Sequence, residues 1–511
     1  MTSIASGGFT GDGRSGVTIQ LNNKGPQDWW LNADATYSHF ERRYRKYLDF
    51  AFGEVFQVPQ STLSLGKTGR IKIDKNGDII RKIDLVGILD PLIPKAYSAS
   101  TENATNTTVK LEGPGIGGNR WISWVPSVGH FMIDQAQLKF GSNLDDQLTG
   151  EYMEIYNEIY GTSDKPLDGL IGGSTSTTTA FYQSLLYQVL YINLPFGFTR
   201  HIEMALPHVS AARQELMLDI SLRPATGTNG LIVQSQGYRA DGSDYLADWV
   251  STSPTALWQN TPDFNSVNLL LHYIYLTKKE RHMLAASPME TLEVNLQTVL
   301  SNTFAATSAA TSTLLIKLSN INHPVKMLLW VLLSDEAKNT HAYGDWSGGL
   351  YRIVPQGTAG NAVGIRGQLF ADDSFRQGYI TFNGSQRTPN HYASFYRENV
   401  ARQFAQRIPG AFCYFYPFSL AHLEKEQNKP MGAMNFSKTD NINLTLLRQP
   451  IVASFQANVN SQVAGTLTVT GHTVDATYYT DTQCSAVTAN VYAESYAPCG
   501  WAGGVKTHYF L

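Results

Sequence analysis

The sequence predicts an all-β protein made of two packed sandwiches. Three observations lead to this fold class: the composition, the spacing of apolar residues and the length of the chain. Charged residues make up 16% of the chain and aromatic residues 11%, a mixture that favours strands and turns over helices. Short alternating stretches fall into two groups of about eight, a number that suits jelly rolls. The 511 residues also exceed what one hydrophobic core normally holds.

The chain is predicted to divide into an N-terminal arm and two β-rich domains. Residues 1–25 are rich in Gly, Ser, Thr and Asn and contain little that could be buried, which is typical of an extended arm that docks on a partner. A short polar stretch at 277–290 separates the two groups of strands. We therefore place the arm at 1–25, the first jelly-roll domain at 26–283 and the second at 284–511.

Strands are predicted throughout the first domain, with short helices in the loops. Four isoleucines flank Asn76-Gly77, a dipeptide typical of tight turns, so a hairpin is predicted there. Residues 143–161 repeat apolar side chains at helical spacing and predict the one clear helix. The candidate strands of this domain lie at 48–58, 69–89, 130–140, 186–196, 214–222 and 267–276.

The second domain has the same pattern of short apolar stretches between polar connections. One of them, "MLLWVLL" at 327–333, is continuously apolar but far too short to cross a bilayer. The candidate strands lie at 292–299, 313–320, 325–333, 376–384, 411–420, 442–450, 465–471 and 488–497.

Motifs of catalysis or metal binding are missing from the sequence. The segment Asp74–Asp78 imitates the start of a calcium loop, but Leu85 stands where a bidentate Glu is required. The glycine-rich residues 113–120 lack the Lys-Ser/Thr pair of a phosphate-binding loop. No nucleophile elbow or HExxH pair occurs, and the histidines are dispersed. We expect no catalytic site, no metal and no cofactor.

The cysteines do not form a recognisable framework. Cys413, Cys484 and Cys499 are too few and too scattered for a set of disulfides or for structural zinc. We expect buried thiols in a reducing compartment.

The charge balance excludes a nucleic-acid-binding surface that covers the whole protein. The 39 Lys+Arg residues against 42 Asp+Glu give a net charge of -3, so no general cationic field attracts phosphate groups. The first residues contain no cationic segment followed by an apolar run, and no apolar stretch is long enough to span a bilayer. We expect a soluble protein made in the cytosol, without direct contact to nucleic acid.

Five sequons could carry N-linked glycans. Without a secretory signal, unmodified Asn in loops is the simpler interpretation, and attachment by another route is the alternative. The most accessible candidates are Asn103, Asn106 and Asn383, whereas Asn435 and Asn443 lie in or beside predicted strands.

The segment "SHFERRYRKYLDFAF", residues 38–52, combines aromatic and basic residues and resembles the N-terminal signature of the major capsid proteins of large icosahedral DNA viruses, the chlorella-virus and iridovirus type. The matching residues are Phe40, Tyr44, Arg45, Lys46, Tyr47 and Phe50. Further similar blocks follow in the family's order at 25–31, 75–80, 322–330, 380–387 and 435–446. The chain departs from the family at Arg213–Leu216, where many relatives carry Tyr-His-Glu-Val.

The resemblance implies a double jelly roll, two eight-stranded antiparallel sandwiches side by side, and a homotrimer with pseudo-sixfold outline. The implied partners are the chain itself, neighbouring capsomers, minor capsid proteins and, through the arm, an internal viral membrane. The implied location is the virion capsid, assembled in the host cytoplasm, with the loops 98–130, 225–266 and 355–375 facing outward. The implied subunit contacts are Phe40, Arg43, Tyr44, Arg45 and Tyr47.

Two other functions stay open at this stage. A minor or spike-type capsid protein would share the fold. A carbohydrate-binding β-sandwich would fit the aromatic content and would use an exposed tryptophan such as Trp346.

Overall fold

The computed structural model places the following parts of the chain. It describes residues 46–93, 120–162, 166–173, 177–227, 229–236, 262–305, 312–339, 341–347, 373–420, 430–448 and 486–508, the short segments 350–352, 355–356, 369–371, 466–469 and 472–475, and residues 18, 40 and 260. The chain forms two units, Met1–Asp49 and Phe50–Leu511. The elements described below all belong to the second unit. The predicted division at residues 25 and 283 stays a prediction.

The described residues in the first half of the second unit form ten strands. They are β1 (Phe50–Gln57), β2 (Thr68–Ile73), β3 (Ile79–Leu89), β4 (Arg120–Trp124), β5 (Ile133–Phe140), β6 (Asn143–Leu148), β7 (Gln188–Asn193), β8 (Leu216–Leu222), β9 (Ile232–Gln236) and β10 (Phe264–Leu276). The helices are α1 (Val128–Phe131), α2 (Gly150–Tyr160), α3 (Asp168–Ile171) and α4 (Thr177–Ser184), with 3₁₀ turns at Gly197–Thr199, Ile202–Met204 and His208–Ala211.

The second half begins after a helix, α5 (Lys278–Ala286), and sixteen strands lie in the parts of it that the structure places. They are β11 (Met289–Phe304), β12 (Ser312–Lys317), β13 (Pro324–Ser334), β14 (Leu350–Arg352), β15 (Pro355–Gln356), β16 (Leu369–Ala371), β17 (Gln377–Phe382), β18 (Ser385–Gln386), β19 (His391–Tyr392), β20 (Tyr414–Pro417), β21 (Met434–Asn435), β22 (Ile442–Arg448), β23 (Thr466–Val469), β24 (His472–Asp475), β25 (Val487–Ala502) and β26 (Val505–His508). The helical segments are α6 (Asp335–Asn339), a π-helical turn (Phe395–Asn399), α7 (Val400–Phe404) and a 3₁₀ turn (Phe436–Lys438).

Four antiparallel sheets form two sandwiches with the same topology. Sheet A has the strand order β1-β10-β3-β7 and sheet B the order β2-β8-β5-β6; together they are the first sandwich. Sheet C, β11-β25-β13-β20, and sheet D, β12-β22-β17-β18, are the second. In sheet A the first strand of the sandwich, β1, pairs with its last strand, β10, and β10 also pairs with β3. Sheet C repeats this order, because β11 pairs with β25 and β25 also pairs with β13. The two predicted sandwiches are therefore confirmed.

Strand β13 contributes side chains to the hydrophobic cores of both sandwiches. All of its residues after Pro324 are buried, as expected for a strand covered on both faces. Met327, Leu329 and Val331 join the core cluster of the first sandwich. Leu328 and Trp330 alternate with them and join the cluster of the second. Sheet C is thus covered by sheet D on one face and by the first sandwich on the other, which is why "MLLWVLL" is apolar without interruption.

The hairpin predicted at Asn76-Gly77 is wrong. Strand β2 pairs with β8 in sheet B, and β3 pairs with β10 in sheet A, so the turn carries the chain from one sheet to the other. A side chain at Gly77 would approach the ring of Tyr273 to 2.6 Å. A dipeptide that permits a tight turn says nothing about whether the flanking strands pair with each other.

The helix prediction was correct only in part. Of residues 143–161, the first six form strand β6 and only Gly150–Tyr160 are helical. Thr149 caps this helix by accepting a hydrogen bond from the backbone N–H of Tyr152. Short helices also lie in the loops, as predicted, and one of them, α5, occupies most of the polar break and buries no side chain.

Candidate functional site: the contact between the sandwiches and the open face of sheet A

The outer face of sheet C is the surface on which the first sandwich lies. Its side chains include Leu296, Leu329, Phe415 and Tyr492, which are all buried and belong to the core cluster of the first sandwich. Helix α2 and the loop after β7 supply the opposing side chains. This contact fixes the two sandwiches in one arrangement.

A fully buried carboxylate, Glu494 of β25, lies at the centre of the contact. It accepts hydrogen bonds from the hydroxyls of Tyr152 at 2.6 Å and Tyr160 at 2.7 Å. The Arg200 guanidinium lies 2.9 Å from it. Burial alone would raise the pKa of Glu494, but Arg200, Lys326 and the two hydroxyls outweigh it and lower the pKa. The carboxylate is therefore held ionised, with three partners from the first sandwich.

A second buried cluster joins β6, β11 and β26. The Lys506 ammonium lies 2.6 Å from Asp145 of the first sandwich and 2.7 Å from Glu293 of the second. The His508 imidazole adds a contact of 2.9 Å to Asp145. Burial alone would lower the pKa of Lys506, but the two carboxylates raise it. The lysine bridges the sandwiches as a cation.

Asp146, beside this cluster, has a different protonation behaviour. Its carboxylate accepts hydrogen bonds from the backbone N–H of Gly197 at 3.0 Å and of Leu296 at 3.3 Å. Burial nevertheless raises the pKa of Asp146 to about 7, because these two bonds and Arg200 offset only part of the desolvation. This group connects both sandwiches and titrates near neutral pH.

The loop after β7 lies directly on β11. A methyl group built on Gly197 would come within 2.4 Å of the Val294 carbonyl oxygen. Phe198, the next residue, is buried. Glycine is needed here because the two backbones approach too closely for any side chain.

The outer face of sheet A is open, in contrast to that of sheet C. Its strands β1 and β7 leave five large apolar side chains exposed: Phe50, Phe52, Phe56, Val189 and Tyr191. Polar residues occupy the centre, where the His272 imidazole lies 3.0 Å from Asp84 and 3.3 Å from Glu54. Lys82 contacts the same oxygen of Asp84 at 2.8 Å. Three of the five, Phe50, Phe52 and Phe56, alternate along β1 and so share one face of that strand, and grouped exposed apolar side chains indicate an interaction surface more often than single ones do.

The outer face of sheet B gives a reference for an ordinary solvent-exposed sheet. It carries Arg70, Lys72 and Lys139 around Asp219, with Arg70 2.7 Å and Lys139 2.8 Å from that carboxylate. Sheets A and B of the same sandwich therefore differ in the chemistry of their outer faces.

The subunit contacts that the sequence predicts are only partly described. Phe40 and Tyr47 are 95% and 82% exposed in the single chain. Arg43, Tyr44 and Arg45 lie outside the described residues, so their role stays a prediction.

The predicted glycosylation positions and the predicted exposed tryptophan have different outcomes. Asn383 is exposed in the turn after β17, while Asn103 and Asn106 lie outside the described residues. Trp346 is fully buried, so its use as an exposed sugar-binding tryptophan is wrong. Cys413 and Cys499 are buried free thiols, and burial raises the pKa of both. Cys484 lies outside the described residues.

Sequence reasoning missed the buried charges at the contact. Glu494 stands in "NVYAESYA", where alternation places it on the face opposite Ala493, and such a residue is normally solvated. The signal available was an acidic residue in a long, otherwise uncharged strand. No residue of the sequence indicated that Arg200 and two tyrosines would cover it.

The described residues contain neither a metal-binding cluster nor a membrane-spanning helix. No cluster of three or more His, Cys, Asp or Glu side chains there is arranged to hold a metal ion. No described helix is long and apolar enough to span a membrane.

Two family sequence models match consecutive parts of the chain. The "Major capsid protein N-terminus" model matches residues 38–277, and the "Large eukaryotic DNA virus major capsid protein" model matches residues 280–492. The chain belongs to the major capsid protein family of large eukaryotic DNA viruses. The resemblance seen in the basic-aromatic segment is thereby confirmed, and with it a structural role in the viral capsid.

Individual relatives within the capsid protein family are distant. The major capsid protein of Paramecium bursaria Chlorella virus 1 is 24% identical, covering 94% of this chain and 96% of the relative. Probable capsid protein 4 of Acanthamoeba polyphaga mimivirus is 21% identical over 84% of this chain and 92% of the relative. The chain spans only 58% of the major capsid protein of Chrysochromulina ericina virus, at 22% identity over 63% of this chain.

Solved capsid protein structures share the fold. The chain aligns with the PBCV-1 virus capsid quasi-atomic model at a TM-score of 0.63 and 20% identity, over 93% of this chain and 100% of that chain. It aligns with the Faustovirus major capsid protein at a TM-score of 0.59 and 11% identity, over 94% and 96% of the two chains. The predicted double jelly roll is confirmed.

Proposed function

We propose that this chain is the major capsid protein of its virus and forms homotrimeric capsomers of pseudo-hexagonal outline. The single observation that carries this proposal is the arrangement of two sandwiches of identical topology, held rigidly by the buried charges around Glu494. Three copies in a ring present six similar sandwiches, and six similar units tile a hexagonal lattice. The function of this chain is then to form the capsid shell, with no catalytic step.

The first test is the mass of the purified protein. We expect a particle of three times 56.5 kDa in light scattering coupled to size exclusion and in native mass spectrometry. A monomer at micromolar concentration would overturn the trimer.

The second test separates the major from the minor capsid role. A minor or spike-type protein is the alternative within the same family. Quantitative mass spectrometry of purified virions should find this chain as the most abundant capsid component. A copy number far below that of another double jelly roll would favour the alternative.

The partners and the place of assembly are part of the same proposal. The glycine-rich arm at 1–25 would contact minor capsid proteins or an internal membrane during assembly in the host cytoplasm. A chain lacking these residues should still form trimers but should fail to form shells. Loss of the trimer itself would contradict this role of the arm.

The basic-aromatic segment is proposed as a contact between subunits. Replacing Arg43 and Arg45 together by Ala should lower trimer stability by a few kcal/mol if both are buried and paired in the assembly. An unchanged melting temperature would show that they are surface charges.

A further inference from the structure

Lys506 lies between two carboxyl groups in a site that solvent hardly reaches. Its Nζ atom is 2.6 Å from Oδ1 of Asp145 and 2.7 Å from Oε2 of Glu293. The side chains of Lys506, Asp145 and Glu293 are 1%, 2% and 5% exposed. An amine that is held in contact with a carboxyl group reacts with it as if the group were present at very high concentration. The site therefore brings together the two components of an amide bond.

Aromatic rings make the surroundings of this lysine apolar. The Nζ atom lies 5.0 Å from the centre of the Phe140 ring and 5.2 Å from that of the Trp501 ring. The two rings contact each other edge to face, and both residues are buried. Burial disfavours the charged forms of amines and carboxylic acids, whereas an amide carries no charge. Exclusion of water also disfavours the reverse reaction, because hydrolysis of an amide consumes a water molecule.

The two carboxyl groups differ in their electrostatic surroundings. Oδ1 of Asp145 also lies 2.9 Å from Nε2 of His508. Burial alone would raise the pKa of Asp145, but Lys506 and His508 lower it. Burial raises the pKa of Glu293, and Lys506 offsets this increase only in part. Asp145 is therefore the anion, which can accept a proton, and Glu293 is the neutral acid, which an amine can attack.

We propose that Lys506 and Glu293 form an intramolecular isopeptide bond and that Asp145 acts as the base. Asp145 accepts one proton from the ammonium, which frees the lone pair of Nζ. This lone pair forms a bond to Cδ of Glu293, and a C–O bond of that carboxyl group breaks. The hydroxyl leaves with the electron pair of the C–O bond, takes a second proton from Nζ and departs as water. Nζ keeps its third hydrogen, and the displaced proton stays on Asp145.

The bond fastens the short strand β26 to the rest of sheet C. Strands β26 and β11 pair with opposite edges of β25, so the link from Lys506 to Glu293 crosses that strand. These two residues are 213 positions apart, and a covalent link that closes a long loop stabilises the folded chain mainly by restricting the unfolded one. This inference does not depend on the proposed trimer.

Peptide mapping of the purified full-length protein tests the bond. Under denaturing conditions the intact mass should be lower than the sequence mass by one water. Trypsin cannot cleave after an acylated lysine, so Lys506 should stay joined to Thr507 in a branched peptide that also contains Glu293. Tandem mass spectrometry of this peptide is the deciding measurement, because cyclisation of Asp168-Gly169 to a succinimide also removes one water.

Lys139 and Asp219 provide a control in the same digest. Their ion pair has a similar length, 2.8 Å, but the two side chains are 22% and 11% exposed. Water reaches this pair, so the peptides that contain Lys139 and Asp219 should be recovered unlinked. A link at Lys139 as frequent as that at Lys506 would overturn the proposal that burial among the aromatic rings drives the reaction.

Two variants separate the covalent bond from the ion pair. Lys506→Arg keeps the positive charge, but a guanidinium does not lose its proton in a protein. This variant should keep the circular dichroism spectrum of the folded chain and should have its full sequence mass. Asp145→Asn keeps Lys506, Glu293 and the shape of the side chain but removes the base. In pulse-labelled protein, the branched peptide should then form at least about tenfold more slowly, and an unchanged rate would overturn the role of Asp145.

Three further results would overturn the isopeptide bond. A parent protein with its full sequence mass and an unlinked Lys506 would show that the contact is an ion pair only. A branched peptide that joins Lys506 to Asp145 would overturn the assignment of Glu293. Loss of water that persists in Lys506→Arg would place the modification elsewhere. Each of these results leaves the trimer, which is measured by native mass, unaffected.

Discussion

The outer faces of sheets A and C have the same strand order but different surroundings. In sheet C the face is closed by α2 and the loop after β7, and its central carboxylate, Glu494, has three partners from the first sandwich. In sheet A the corresponding position is His272, which has only partners of its own sheet among the described residues, and aromatic side chains surround it in the open. Sheet topology therefore does not decide whether a face is covered. Whether a face is covered depends on the side chains that it carries and on the segment of chain that can reach it.

The buried charges at sheet C and the buried carboxylate Asp84 on sheet A obey the same physical rule. A buried ion pair contributes little net stability against an apolar core, but removal of one partner leaves a costly unpaired charge. The charges at sheet C thus hold one arrangement of the sandwiches rather than add strength. The unsatisfied oxygen of Asp84 on sheet A has the same physical requirement.

The largest effect is expected from breaking the closed contact at its centre. Arg200→Met leaves the buried Glu494 with only the more distant Lys326, 4.0 Å away, as a cation and should lower the free energy of unfolding by about 3–5 kcal/mol, measured in urea. The matched control is Arg70→Met on the open face of sheet B, where the side chain of Arg70 is 63% exposed and the loss should be much smaller, because exposed ion pairs contribute little to stability. Adding Glu494→Gln to Arg200→Met should recover part of the loss. Equal losses for Arg200→Met and Arg70→Met would show that the contact is not closed.

A somewhat smaller effect is expected from the pH dependence of Asp146. Its pKa is about 7 in the folded chain against 3.8 for the free group. The folded state therefore keeps this proton between these values while the unfolded chain releases it, so this group makes stability fall as pH rises through that window. Asp146→Asn removes the dependence, and its stability relative to the parent should rise by up to about 4 kcal/mol from pH 4 to pH 8.

Urea unfolding at several pH values measures the difference between parent and Asp146→Asn. Only the change with pH is informative, because an Asn side chain cannot accept hydrogen bonds from both Gly197 and Leu296 as the carboxylate does. Parallel curves for the two proteins would show that Asp146 is ionised throughout the range.

The smallest effect is expected from the close approach of the loop after β7. Gly197→Ala places a methyl group within 2.4 Å of the Val294 carbonyl and should cost about 1–3 kcal/mol in thermal or urea unfolding, since the backbones must separate. Gly169→Ala is the control, because nothing lies within 4 Å of its added methyl group. If both substitutions were neutral, the loop would not rest on β11.

The sequence was sufficient for elements that depend on local pattern. The strands at 133–140, 216–222 and 442–448 lie within one or a few residues of their predicted positions, because alternation marks a half-buried strand. The pattern failed where two elements share one apolar stretch. Leu144 and Leu148 continue the helical spacing of α2 but belong to β6, since a strand that ends where a helix begins can mimic a longer helix.

Sequence reasoning identified the protein family but not the residues that form the contact between the sandwiches. The aromatic and basic residues near the N-terminus led to the family, but the contact residues Glu494, Arg200 and Lys506 lie far apart in the chain and match no motif. Lys506 contacts Asp145 although the two residues lie 361 positions apart in the sequence, and no local rule pairs them.

The sequence by itself determined the two sandwiches, the position of most strands and the capsid family, because each depends on periodicity or on short motifs. Only the tertiary structure decided which sheet face is covered and which is open. Alternation shows which side chains share a face, as with Tyr492 and Glu494 of β25 or Phe52 and Phe56 of β1. What lies against that face depends on residues distant in sequence, which burial and charge pairing bring together only once the chain has folded.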